Sequence, residues 1–207
     1  MKIERLRIRN FRSIQDLDIE LPQVCALVGP NNAGKSNALE AIRRVLGGAW
    51  VRAGDFDTSD IYLRDDERDI EISCSLDPSI QFARFKGADP VAIDELSFKY
   101  TRYKTGPNKG EPRLEQRCVS GNGETPIVLS RAPKKGEQRK YEPIVGIPAE
   151  VRAQVPLIHI GTNRSLREQL PGARYSLLRQ LFELFDQCSG NGGRNSERDR
   201  SRHLEGF

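Results

Sequence analysis

The chain has 207 residues, 37% hydrophobic and 30% charged, a balance that fits a soluble globular protein with a polar surface and a modest core. No apolar run approaches the roughly 20 residues that a membrane-spanning helix needs. The N-terminal MKIERLRIRNF alternates charged with apolar residues and has none of the apolar centre of a secretory leader, so the expectation is a cytoplasmic protein without a membrane partner. The net charge of +4 conceals two opposed blocks. Asp55 to Asp77 holds nine acidic residues and two arginines, a balance of −7, and Lys99 to Lys140 holds eleven basic residues and four glutamates, a balance of +7. Such blocks are read either as a footprint for an acidic partner or as solvated faces.

In chain order, KIERLRIRNF alternates with period two and predicts a strand over Lys2 to Asn10. QDLDIEL places Leu17, Ile19 and Leu21 on one face of a second strand. The link between them is too short for a crossover, which predicts a hairpin. VCALVG, a continuous apolar run ending at Gly29, reads as a buried strand. From Lys35 the spacing becomes helical, with Leu39, Ile42, Val45 and Leu46 on one face, and the glycines at 47–48 end the helix. A polar connection follows. DIEISCSL, IDELSFKYTRYK, PRLEQRCVS and TPIVLSRA are then four strand candidates separated by turn signals, and they predict an antiparallel meander. IPAEVRAQV predicts one or two helical turns, PLIHIG a second short buried strand, and the stretch from about Tyr175 a helix striped by Leu178, Leu181, Phe182 and Phe185. The tail from 189 is polar and reads as flexible.

GPNNAGKS carries the chemistry. Gly29 and Gly34 bracket four residues, and Lys35 and Ser36 follow, the spacing of a P-loop. The physics asks for each residue type. Gly29 lets the chain turn off the strand, and Gly34 lets the backbone approach phosphates with no Cβ in the way. The N–H groups of the loop and of the first helical turn face the anion, aided by the helix dipole. Lys35 sets a point charge against the β and γ phosphates, and Ser36 offers a hydroxyl to Mg²⁺. An apolar run before the loop and an amphipathic helix after it supply the right context; the alternative is a plain glycine-rich turn.

Weaker features favour structural readings. VAIDE, Val91 to Glu95, has the Asp–Glu ending of a Walker B element, but its apolar run is short and follows Pro90, so it reads as an exposed turn leading into a strand. CSGNGG, similar to an ABC signature loop, precedes a polar stretch and reads as a linker. The basic segment mixes Lys and Arg with Tyr100, Tyr103 and Tyr141, as phosphate-backbone contacts do and as solvated hairpins also do. Cys25, Cys74, Cys118 and Cys188 form no CxxC pair. With His159 and His203 they read as structural.

The first 47 residues, IERLRIRNFRSIQDLDIEL and LVGPNNAGKSNALEAI in particular, resemble the N-terminus of the ABC-type ATPases of DNA metabolism, the SMC and RecF kind. NNAGKSN, with PLIHIGTNRSLREQL and PGARYSLLRQLFE further on, is similar to the overcoming-lysogenization-defect (OLD) branch of ATP-dependent endonucleases and phage-defence ATPases. The resemblance implies an α/β P-loop NTPase, ABC-ATPase-like in its N-terminal half, with a mixed sheet, an antiparallel strand meander and flanking helices. It implies ATP and Mg²⁺ as cofactors, DNA as a partner of the parent protein, and a homodimer or higher oligomer formed through ATPase heads. It places Arg12 and Ser13 beside the nucleotide, Asn31, Asn32 and Ala33 along the loop with Gly34, Lys35 and Ser36, Asn37 at the helix start, and Arg164 at a second layer or interface.

The signature motif, Walker B strand, D-loop, switch histidine and Toprim carboxylates of that family are not evident, and DDERD at 65–69 reads as an acidic loop. The expectation is therefore a partial ATPase domain over 1–188 and a tail over 189–207, belonging to a longer protein. Within the domain it comprises a P-loop lobe at 1–54, a strand-rich lobe at 55–147 and a strand and helix at 148–188. Two rivals stay open: a RecF/SMC-like repair ATPase without nuclease, and a stand-alone nucleotide-binding or interaction module that does not turn over ATP.

Overall fold

Strand β1 (Lys2–Phe11) and strand β2 (Ile14–Glu20) form the expected hairpin across the two-residue turn Arg12–Ser13. In the computed structural model, which describes residues 1–47, 51–134 and 137–158, this hairpin is one edge of a five-stranded sheet. The other strands are β3 (Ile70–Phe82), β4 (Val91–Arg102) and β5 (Pro112–Val119), in the order β2-β1-β3-β4-β5. Every pairing is antiparallel, where the resemblance implies a mixed sheet.

Period-two alternation sorts the strands' side chains onto two faces. Leu6, Cys74, Leu96 and Cys118 lie in one cross-strand row, and Ile8, Ile72 and Phe98 in the next; all seven are buried. The opposite face is charged. Asp16, Arg9, Glu71, Lys99 and Glu115 form a row across all five strands that alternates in sign. Its closest pair is Lys99 Nζ to Glu71 at 2.7 Å. The two opposed charge blocks thus become neighbours: Lys99 also meets Asp69, and Arg102 meets Asp66.

Helix α1 (Lys35–Leu46) covers the apolar face, packing on β1, β3 and β4. Its buried stripe is Ala38, Ala41, Val45 and Leu46, with Ile42 half-buried and Leu39 48% exposed. The stripe is therefore rotated from the expected one, because two alanines let the helix backbone approach the sheet more closely than leucine would.

The run Val24 to Gly29 is not a strand. Val24 and Val28 are 88% and 91% exposed. A strand needs a neighbour for its backbone donors and acceptors, and one buried on both faces needs two covering layers. The described residues provide this run with neither. The fourth meander candidate also departs from expectation, since β6 (Ile127–Leu129) pairs with β7 (Tyr141–Pro143) in a separate two-stranded sheet.

VAIDE is the start of β4 and not a turn: Ile93 is fully buried, and Asp94 and Glu95 accept hydrogen bonds from Ser79 and Ser75. IPAEVRAQV holds α2 (Ala149–Ala153), with Val151 in the core. The PLIHIG strand beyond Ile158, the helix from Tyr175, the tail, Arg164, Cys188, His159 and His203 lie outside the described residues.

Candidate functional site: a phosphate-cradling loop on a helix start

Helix α1 begins without a side-chain cap. Its N-cap is Gly34, and its first turn carries no acidic residue. Two features open this end. Gly34 sits at φ +88, a conformation that costs an L side chain energy. A Cβ there would also stand 3.2 Å from Ser13 Oγ and 3.4 Å from an Ile14 side-chain carbon. The β1–β2 turn therefore lies close against the loop, and a side chain at 34 would have to push the turn back by a few tenths of an ångström. Asn32 is also at positive φ, +67, a position asparagine tolerates better than most residues. Gly29, by contrast, is close to extended, and a Cβ on it would make only ordinary contact with Ala33. The sharp turn expected there falls at 30–34 instead, where Ala33 N–H donates to the Pro30 carbonyl.

The expected residues converge in part. Lys35 folds back over the loop and donates to the carbonyls of Gly29 (2.8 Å) and Pro30 (2.6 Å). Asn37 Nδ2 donates to Ser13 Oγ at 2.8 Å, so the helix start is tied to the hairpin turn. Asn31, Asn32, Ala33 and Ser36 are exposed. First-turn N–H groups free of a cap, the positive end of a 12-residue helix and one flexible ammonium are the donor set that a polyphosphate requires.

Sequence reasoning missed what stands behind this loop. Asp60, at 4% exposure, is the one buried charged residue among the described residues. Its carboxylate accepts Arg12 Nε at 2.8 Å and lies 3.7 Å from Arg44 Nη2, and its main-chain carbonyl accepts the Arg12 N–H at 2.7 Å. Arg44, on the helix that follows the loop, also pairs with Glu40, donates to the Asp55 carbonyl and stacks over Phe56. Burial pushes the Glu40 carboxyl up, but Arg43 and Arg44 outweigh it and hold the group below its ordinary value. A faint signal did exist. Asp57-x-x-Asp60 is a capping pattern, and it folds as a short 3-10 turn (Thr58–Asp60) in which Asp57 accepts the Ser59 N–H. In sequence, however, Asp60 is one acid among seven in the polar connection before β3.

Comparison with known proteins agrees with this geometry. The model of the AAA ATPase domain family matches residues 1–123. The chain is 27% identical over 185 residues to the OLD nuclease of Thermus scotoductus, an alignment that takes in 87% of this chain and 30% of that protein. It is 35% identical over 79 residues to Endonuclease GajA of Bacillus cereus, covering 38% of this chain and 14% of that one. It is 44% identical over 46 residues to the Chromosome partition protein Smc of Methanocaldococcus jannaschii, 22% of this chain and 4% of that one. The chain spans less than a third of the length of these relatives. An α/β unit that mounts a glycine-bracketed loop on a helix start, matched in this way, defines an ATPase domain. The chain belongs to the AAA ATPase domain family.

Proposed function

We propose that this chain supplies the ATP-binding portion of an OLD-like, ATP-dependent DNA endonuclease in which nucleotide occupancy governs DNA processing. The observation that carries the reading is the uncapped start of α1 behind Gly34, with Lys35 poised over the loop. The similarity to the OLD nuclease along 87% of the chain supports it.

In this reading the loop is a Walker A element. Backbone N–H groups from Asn31 to Ser36 cradle the phosphates, and Lys35 exchanges its two carbonyl partners for the β and γ phosphates. Arg12 and Ser13 flank the nucleotide from the hairpin turn, and Asn37 keeps that turn in register through Ser13. The residues fit Mg²⁺ as well, since the exposed Ser36 hydroxyl opens the helix beside the anion site; the ion would neutralise charge that develops on the phosphates. The parent protein would dimerise through its ATPase heads and act on DNA. The β4–β5 hairpin tip, where Lys104 and Lys109 form no ion pair among the described residues, is a candidate for backbone contact.

Lys35→Ala tests the reading by isothermal titration with Mg-ATP. Binding should be lost while the folded state persists, because Lys35 makes only loop contacts. Unchanged affinity would sink it. A repair or chromosome-structuring ATPase without nuclease is the second reading, favoured by the 44% identity to the Smc protein. Metal-dependent cleavage of DNA by the parent protein, present or absent, separates the two.

A further inference from the structure

The buried carboxylate behind the loop has no place in the phosphate cradle itself. It is fully engaged, accepting Arg12 Nε and the Asp57 N–H on different oxygens and facing Arg44 across 3.7 Å. Both arginines lead to the loop. Arg12 immediately precedes Ser13, whose Oγ accepts from Asn37 Nδ2 and lies 3.2 Å from where a Cβ on Gly34 would sit. Arg44 is on α1, the helix whose first turn forms the anion site. The backbone is fastened at the same point: Phe11 pairs with Ile61 in an isolated bridge, and Arg12 N–H donates to the Asp60 carbonyl.

Arg12 itself is at φ +51, in the left-handed region that a bulky side chain enters only when its surroundings hold it there. Only its Nε is engaged by the carboxylate. The two terminal guanidinium nitrogens form no hydrogen bond with any described residue, and the side chain is 35% exposed. A guanidinium anchored through Nε and open at both Nη atoms is set to grip a phosphate with its remaining fork.

We propose that Asp60 is a positioning residue for nucleotide binding: its carboxylate, lying beside Arg44, orients the Arg12 guanidinium toward the phosphates. The inference rests on the nucleotide-binding reading above and adds to it a residue that contacts no nucleotide.

The test is a double-mutant cycle on the full chain, with a fluorescent Mg-ATP analogue as probe and thermal unfolding recorded in parallel. Arg12→Gln should weaken binding about tenfold, the effect of losing one charge-assisted contact. Asp60→Asn, which keeps the shape and removes the charge, should weaken it several-fold. The double variant should bind no more weakly than Arg12→Gln alone, since Asp60 acts through Arg12. A purely structural Asp60 would lower affinity by the same factor in both backgrounds, and that additive result overturns the proposal, as does wild-type affinity in Asp60→Asn. Asp60→Glu retains the buried charge and serves if the asparagine variant does not fold. It should show a smaller loss that vanishes in the Arg12→Gln background, and a loss that persists there counts against the proposal equally. Lys35→Ala is measured alongside. If it binds normally, the nucleotide reading itself fails. If it is inert while the cycle is additive, only the role of Asp60 fails.

Discussion

Gly34 is the residue on which the site's geometry turns, for two reasons that a substitution separates from general stability. Gly34→Ala places a methyl group in a left-handed conformation, at a cost of about 1 to 2 kcal/mol, and drives it to 3.2 Å from Ser13 Oγ. The expected outcome is a lowering of the unfolding temperature by a few degrees with a larger loss of Mg-ATP affinity, because the shift is imposed on Ser13 Oγ, the atom that accepts from Asn37 at the helix start. A variant that unfolds earlier but binds normally would show that the close approach is unimportant. The thiols make a second residue-level prediction. Burial pushes Cys74 up to about 12 and Cys118 to about 11, while Cys25 is exposed. Since the thiolate is the reactive form, iodoacetamide at neutral pH followed by peptide mapping should label Cys25 and leave Cys74 and Cys118 unmodified until denaturant is added. Equal labelling of all three in the native state would contradict the buried rows of the sheet. The structural role read for the cysteines therefore describes Cys74 and Cys118 well and Cys25 poorly.

At the scale of elements, alternation and helical spacing located β1 to β5 and α1 because each has one face wet and one face dry, and a sequence records that contrast directly. The same logic misplaced Val24–Gly29. An apolar run signals burial only if something covers it, and covering is not a local property. A paired measurement separates the two cases. Ile72→Ala, in the closed row Ile8–Ile72–Phe98, should cost about 3 kcal/mol in urea unfolding, within the usual range for a buried isoleucine. Val28→Ser, at a site 91% exposed, should change stability by less than about 0.5 kcal/mol. Comparable losses would mean that the apolar run is packed after all. The stripe on α1 teaches a related lesson. Leu39 outranks Ala38 and Ala41 in hydrophobicity, yet the alanines face the sheet, since what matters at a close helix–sheet contact is the room a side chain leaves.

For the molecule as a whole, carboxylates paired with neighbouring arginines and lysines contribute to the response to acid. Asp18 is held low by Arg5, and Asp65 by Arg68; for Asp69 burial acts upward but the Thr101 hydroxyl and Lys99 prevail. In each case the folded state binds its proton less readily than the unfolded chain does. The stabilisation is therefore present above the ordinary carboxylate range and is lost as pH falls through the depressed folded values. Urea midpoints should stay nearly level from neutrality to about pH 5 and fall below about pH 4; a midpoint undiminished at pH 2 would remove these pairs from the stability of the fold. Hairpin and helix were legible in the chain because they depend on residues a few positions apart: the two-residue turn at Arg12–Ser13 and the period of α1. What required the assembled sheet was every relation between distant segments. The −7 and +7 blocks are ambiguous in one dimension, and they resolve into cross-strand pairs once β3 lies beside β4. Asp60 becomes a buried anchor only because the sheet brings it 48 residues back along the chain to Arg12. Sequence reports what a residue prefers around it, and only the fold decides which residue arrives to satisfy that preference.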